Sequence, residues 1–127
     1  MNSPEELVKS FIVDYKIWND DSSIIYNKNR SDGMEEAENN YQRLIEKYCD
    51  PEVTVQGISF GSESTHSLDQ EKIVKTVQKG NVALIHSKHI DADDFESDYE
   101  YHLKIVNGSW MLSSILYVDA DGKYECL

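Results

Sequence analysis

The sequence predicts an α+β domain in which helices pack on a curved antiparallel sheet. Apolar residues recur at helical spacing in the first part of the chain, and they alternate with polar residues in the last third. An Asn-Gly dipeptide joins two of the alternating runs, which is typical of a hairpin turn. With 127 residues, of which 39% are hydrophobic, the chain has the size and the core of one domain, and we expect a single domain over residues 1–127.

The first helix is predicted by both its start and its apolar stripe. Ser3 can cap it, Pro4 suits the first helical position, and Glu6 completes a capping box. Apolar residues then follow at spacings of four, four and three: Leu7, Phe11, Tyr15 and Trp18. The polar run 19–23 predicts the end of this helix, and residues 24–33 are predicted to form a loop.

Two further helices and two short strands are predicted before the last third of the chain. The second helix is expected from Met34 to Tyr48, where Asp50-Pro51 stops it. Short alternating runs predict strands at Val53–Val55 and Ile58–Phe60. A second capping box, Ser67-x-x-Gln70, predicts a third helix from Leu68 to about Lys79, ahead of Gly80.

The last third predicts a three-stranded meander over 82–90, 95–106 and 110–118. A two-residue turn at Asn107-Gly108 sets the register. The predicted opposing pairs are Val106 with Ser109, Ile105 with Trp110, Leu103 with Leu112, Tyr101 with Ser114, and Tyr99 with Leu116. This register puts Met111, Ile115 and Tyr117 on the outer face, where they predict a contact surface that a second copy of the chain could cover, giving a homodimer.

Charge excludes some partners. Twenty-four Asp and Glu face 12 Lys and Arg, which gives a formal charge of −12. Such a protein repels nucleic acid and anionic membranes, and attracts a basic protein. No apolar run is long enough to span a membrane, and the N-terminus lacks the features of a signal peptide, so the cytoplasm is the expected location.

No catalytic residue is predicted. His86 and His89 fall on opposite faces of one strand, while His66 and His102 stand isolated. Tyr99 and Tyr101 would face the interior, and no inward acid is identifiable beside them on the last two strands, although an acid carried by a helix could still enter the interior. Without a matched acid and base, an enzyme is not expected.

Neither a metal nor a cofactor is predicted. His86-x-x-His89 lacks the spacing of a helical zinc pair, and Asp119-x-Asp121-Gly122 is interpreted as a turn because it does not complete a calcium loop. Cys49 and Cys126 are too few for a disulfide scaffold and are expected to be free thiols.

The most informative stretch runs from Asp91 to Glu100, where six of ten residues are acidic and none is basic. One interpretation is a solvated loop. The other is a docking surface for a basic protein, with charge for steering and an aromatic anchor. The candidate partner-binding residues are Asp91, Asp93, Asp94, Phe95, Glu96, Asp98 and Glu100.

Some of these segments resemble a known family. The segment 44–49, the run Tyr99-x-Tyr101-x-Leu103 and the turn Gly108-x-Trp110 resemble the nuclear-transport-factor-2-like superfamily, and within it the immunity proteins of bacterial polymorphic toxin systems. The resemblance implies a cone of helices against a bent sheet, and a protein that neutralises a cognate toxin by binding it. The alternative within the same fold is a small-molecule-binding protein, or an isomerase or hydratase, which would need an inward acid or histidine in the cone.

Overall fold

A computed structural model describes residues 2–127 as two helices followed by five strands. The elements are α1 (Pro4–Lys28), α2 (Arg30–Tyr48), β1 (Glu71–Lys79), β2 (Val82–Ile90), β3 (Glu96–Val106), β4 (Ser109–Asp119) and β5 (Gly122–Glu125). The strands form one antiparallel sheet in chain order. The predicted α+β class, with helices on an antiparallel sheet, is therefore confirmed, and the arrangement is consistent with the cone of the nuclear-transport-factor-2-like fold.

The first helix continues through its predicted break. Asn19, in the polar run 19–23, is buried, and its side chain exchanges two hydrogen bonds with the backbone of Gly61 at 3.0 and 3.1 Å. These tertiary bonds satisfy a side chain that would otherwise favour a turn. The loop predicted over 24–33 is wrong as well, because α1 reaches Lys28 and Asn29 then caps α2 by accepting from Asp32 N–H.

The third predicted helix is a strand instead. Ser67 O accepts from the N–H groups of Gln70 and Glu71, so the capping-box sequence forms only a single turn before β1 begins. The β-branched residues of β1, which favour a pleated strand over a helix, are Ile73, Val74, Thr76 and Val77.

The strands predicted at 53–55 and 58–60 are also wrong. This part of the chain belongs to a long irregular connection over 50–70. Phe60 lies against Trp18 and Tyr26 with ring centroids 5.9 and 5.6 Å apart. The connection thus packs against α1 through Phe60.

The hairpin between β3 and β4 forms where it was predicted. Asn107 and Gly108 both have positive φ, 51° and 83°, as a two-residue turn requires. The predicted pairs nearest the turn are confirmed: Val106 with Ser109, Ile105 with Trp110, and Leu103 with Leu112.

Further from the turn the predicted register fails by one residue. Ser113 is extra in β4, so His102 pairs with Ser114, Tyr101 with Ile115, and Tyr99 with Tyr117. A bulge of one residue moves every later side chain to the opposite face of the sheet. Ile115, 1% exposed, and Tyr117 therefore face the core, and the contact surface predicted from Met111, Ile115 and Tyr117 is wrong.

The core lies between the two helices and the inner face of the sheet. Its largest buried side chains are Phe11, Ile12, Ile85, Tyr101, Leu103, Leu112, Ile115 and Leu127. In residues 2–127 no helix is long and apolar enough to cross a membrane.

Candidate functional site

The acidic stretch forms the loop between β2 and β3 and the first half of β3. The Asp91 carboxylate accepts the N–H groups of Asp93 and Phe95, both at 2.9 Å, so Asp91 folds the loop from within. Asp94 has a φ of 62°, in the left-handed region that Asp tolerates better than most residues. The turn leaves Asp93 and Asp94 in solvent, and Phe95 is 59% exposed at its end.

The rest of the stretch lies along the outer face of the sheet, the face away from the helices. Glu96 and Asp98 lie 2.8 and 3.4 Å from Lys88 Nζ. Glu100 is only 3% exposed and lies 2.9 Å from Lys123 Nζ and 2.7 Å from His102 Nε2. Burial opposes ionisation of Glu100, but Lys123 and His102 outweigh it and hold the pKa of this carboxyl below its usual value. Glu100 is thus engaged within the chain, while the loop residues face outward.

Strand pairing brings further acids to the same end of the sheet. Glu63 accepts the N–H of Ala92 at 2.9 Å and the amide of Gln70 at 2.7 Å, which ties the 50–70 connection to the loop. Asp98 pairs with Val118, so the turn between β4 and β5 lies at this end too. We call this set the acidic end: Glu63, Asp91, Asp93, Asp94, Glu96, Asp98, Asp119 and Asp121.

Three members of the acidic end were missed in the sequence: Glu63, Asp119 and Asp121. The turn interpretation of 119–122 is right, since Asp119 Oδ1 accepts the N–H groups of Asp121 and Gly122 at 2.8 and 3.0 Å. The turn 119–122 lies near the acidic stretch because β3 pairs with β4. Counting the charges along a short segment of sequence cannot reveal that pairing.

A second group of polar residues is buried between the helices and the sheet. The carboxylate of Glu71, the first residue of β1, lies 2.8 Å from His66 Nδ1 and accepts from Ser87 Oγ at 2.6 Å. The Tyr101 hydroxyl donates to the same carboxylate and lies 2.9 Å from His66 Nδ1. We call these four residues the buried polar cluster, and each is at most 3% exposed.

Charge and hydrogen bonding set the state of Glu71. Burial penalises its ionised form, but the imidazole of His66 and the hydroxyls of Ser87 and Tyr101 outweigh that penalty and lower its pKa. Burial, with the adjacent Glu71 charge, raises the pKa of Tyr101 well above its ordinary value. The cluster therefore consists of a carboxylate surrounded by donors.

Aromatic rings surround His66. The centroids of Tyr99, Tyr15 and Phe11 lie 4.7, 4.8 and 6.0 Å from the imidazole centroid. His89, opposite Glu71 in the register, is 4% exposed, and its Nε2 has no hydrogen-bond partner within residues 2–127. The interior around the cluster is thus filled largely by side chains.

The statement that His66 and His102 stand isolated is wrong, because His66 lies 2.8 Å from Glu71 and His102 lies 2.7 Å from Glu100. An inward acid also lies beside Tyr101, but on β1 and not on the last two strands. It was missed because 68–79 was assigned to a helix, whereas in the strand Glu71 faces the core. The cluster joins residues up to 35 positions apart, so no local motif indicates it.

Chemically, the buried polar cluster pairs an acid with a base, and the acidic end offers charge and one exposed ring. Across the described residues, 2–127, no group of three His, Cys, Asp or Glu side chains is arranged to hold a metal ion. Both cysteines are free thiols, Cys49 buried and Cys126 exposed.

Comparison with known proteins gives no match: no family model, curated protein or solved structure is significantly similar to this chain.

Proposed function

We propose that this chain is an immunity-type protein that binds and neutralises a basic cognate toxin in the cytoplasm. The observation that carries the proposal is the acidic end, where eight carboxylates lie at one end of the sheet together with an exposed Phe95. The segment resemblance to immunity proteins of the nuclear-transport-factor-2-like superfamily supports the same conclusion.

Charge supplies the first step of recognition. A net charge of −12 attracts a basic partner from a distance, and the acidic end concentrates that attraction at one place. Electrostatic steering raises the association rate and fades as salt screens the charges.

Phe95 supplies the second step. Its ring is 59% exposed beside the hydrogen-bonded turn that Asp91 organises, so its backbone is held before a partner arrives. An aromatic side chain on a preorganised backbone is a typical anchor for a pocket on a partner protein.

Packing of the interior favours binding through the exterior. Tyr101 is fully buried, and the rings of Tyr15 and Tyr99 lie against His66 with centroids 4.8 and 4.7 Å away.

The test uses the protein encoded beside this chain's gene as the toxin, and measures binding by surface plasmon resonance at two ionic strengths. Reversing Asp93, Asp94 and Glu96 to Lys should slow association at least about tenfold at low salt, and high salt should shrink the difference. Phe95→Ala should mainly speed dissociation and depend little on salt.

The matched control reverses three exposed acids of α2, Glu35, Glu36 and Glu38, to Lys, which changes the net charge equally. It should keep most of the association rate. If the control slows association as much as the acidic-end variant does, the effect comes from net charge and the acidic end is only a solvated loop.

A small-molecule-binding protein or an isomerase-like or hydratase-like enzyme is the second candidate. It is favoured by one observation, the contact of His66, Glu71 and Tyr101 in the interior. Turnover of a metabolite that is lost in a folded Glu71→Gln variant, and kept in the acidic-end variant, would establish this function in place of the first.

A further inference from the structure

The outer face of the sheet carries half of the basic residues of this acidic chain. Six of the 12 Lys and Arg lie there by strand register: Lys72, Lys75, Lys79, Lys88, Lys104 and Lys123. The distribution of charge is therefore uneven, with carboxylates at one end of the sheet and lysines along this face.

Three of the six lysines are engaged within the chain. Lys88 pairs with Glu96, Lys104 lies 2.5 Å from Asp50, and Lys123 lies 2.9 Å from Glu100. The other three, Lys72, Lys75 and Lys79, are all on the edge strand β1 and have no ion-pair partner within residues 2–127.

Exposed valines lie between these lysines. Val74, the extra residue of a bulge in β1, is 55% exposed, and Val77 is 37% exposed. Val77 and Lys79 line a groove of about 270 Å³ with Val82 and other residues of the outer face. We call the row Lys72, Val74, Lys75, Val77 and Lys79 the β1 strip.

We propose that the β1 strip binds the acidic end of a second copy of this chain. Each copy presents complementary surfaces: lysines and exposed valines on the strip, carboxylates and an exposed Phe95 at the acidic end. The interface of this homodimer is the β1 strip, a different part of the outer face from the surface predicted from Met111, Ile115 and Tyr117.

The placement of the two surfaces allows a closed pair. Ile90 N–H donates to Gln70 O at 3.0 Å, so the acidic end begins beside the Lys72 end of the strip. Two copies set antiparallel about a two-fold axis bring the acidic end of each to the Lys79 end of the other. The contact between acidic end and strip is then made twice, and the assembly closes as a dimer.

Two forces compete in this association. The net charge of −12 on each copy is repulsive. At physiological salt the Debye length is about 8 Å, whereas a nine-residue strand such as β1 spans about 30 Å at roughly 3.3 Å per residue. Salt therefore screens the repulsion between charges that lie far apart on the two copies. The charges that face each other across the contact determine whether the copies associate.

Nucleic acid is a less suitable occupant of the strip. The exposed side chains of Val74 and Val77 between the lysines have no apolar counterpart on a phosphate backbone, whereas Phe95 supplies one at the acidic end. A protein surface that alternates carboxylates with an apolar ring matches the alternation of lysine and valine.

This inference rests on the proposed function in one respect: both use the acidic end. A toxin and a second copy of the chain would therefore compete for that surface. Self-association is measured with this chain alone, so its failure says nothing about the toxin, and a failed toxin experiment leaves self-association open to measurement.

The experiment is analytical ultracentrifugation of the full chain at about 0.15 M salt, the ionic strength at which screening is strong. The natural chain should form a dimer. Reversing Lys72, Lys75 and Lys79 to Glu, or Asp93, Asp94 and Glu96 to Lys, should each raise the dissociation constant at least about tenfold.

Mixing the two reversed variants is the decisive measurement. Each variant then offers the other a complementary strip and loop, so the mixture should form a heterodimer with a dissociation constant at least about tenfold below that of either variant alone. The control, Lys9, Lys28 and Arg30 to Glu, changes the net charge as the strip variant does but alters exposed helical residues, and it should dimerise like the natural chain. Circular dichroism verifies that each variant is folded.

Three results would overturn the proposal. They are a monomeric natural chain across the concentration range, a control that dissociates as readily as the strip variant, and a mixture that stays monomeric. Binding of a single-stranded oligonucleotide that is lost in the strip variant would assign the strip to nucleic acid instead.

Discussion

The carboxylates of the acidic end and the single carboxylate of the buried polar cluster, that of Glu71, have the same chemistry and opposite surroundings. Asp93 and Asp94 stand in solvent, where water and salt screen them. Glu71 is 3% exposed, and the donors around it take the place of water. The exposed acids are therefore available to a partner, whereas the buried acid is committed to the fold.

The largest expected effect is that of Glu71→Ala. It should lower the free energy of unfolding by about 3–5 kcal/mol, because it leaves the groups that donate to the carboxylate buried without a partner. Urea unfolding measures this loss. Glu96→Ala, which removes an exposed pair with Lys88, should cost less than about 1 kcal/mol. Equal losses would remove the distinction between the two groups.

Tyr101→Phe comes next. It removes one hydroxyl that bonds to Glu71 while keeping the ring, so the expected cost is about 1–3 kcal/mol. Tyr124→Phe, at a ring that is 50% exposed, is the matched control and should be within about 0.5 kcal/mol of the natural protein. A Tyr101→Phe variant as stable as the control would show that the hydroxyl contributes nothing.

Stability should also depend on pH through Glu71. The pKa of Glu71 is lower in the folded chain than its ordinary value of 4.5. Its contribution is therefore complete above that value and is lost as the pH falls below it through the folded pKa.

Glu71→Gln isolates this contribution. The difference in unfolding free energy between the natural protein and Glu71→Gln should be constant near neutral pH and shrink in acid. Because other acids titrate in both proteins, their effects cancel. A difference that stays constant down to about pH 3, well below an ordinary carboxyl pKa, would contradict a lowered pKa of Glu71 in the folded chain.

The smallest effect is expected at the acidic end. Replacing Asp93 and Asp94 by Asn should change the free energy of unfolding by no more than about 0.5 kcal/mol, because exposed charges contribute little. Thermal or urea unfolding measures it. A loss above about 2 kcal/mol lies beyond the ordinary range for exposed positions. It would show that these two carboxylates stabilise the fold.

Local signals predicted part of the fold well. The Ser3 cap, the Asn107-Gly108 turn and the pairs next to that turn are confirmed because each depends on a few neighbouring residues. The acidic stretch was equally visible, since its residues are contiguous. Its role in binding a partner stays a prediction.

Other features depended on contacts between distant segments. The burial of Asn19 against Gly61 keeps α1 helical through its polar run, and the bulge at Ser113 reverses the faces of β4 beyond it. Neither feature has a local signature. Considered without the rest of the fold, the residues 19–23 would suit a break in the helix equally well, and the residues around Ser113 would suit a strand without a bulge.

The charge, the α+β class and the hairpin follow from local sequence, because composition, periodicity and turn chemistry are properties of single residues and their near neighbours. That 71–79 is a strand depends on tertiary contacts, and so do the buried polar cluster, the β1 strip and the full acidic end. A carboxylate is stable in the core only where donors from other segments surround it, and those donors come together only when the sheet has paired.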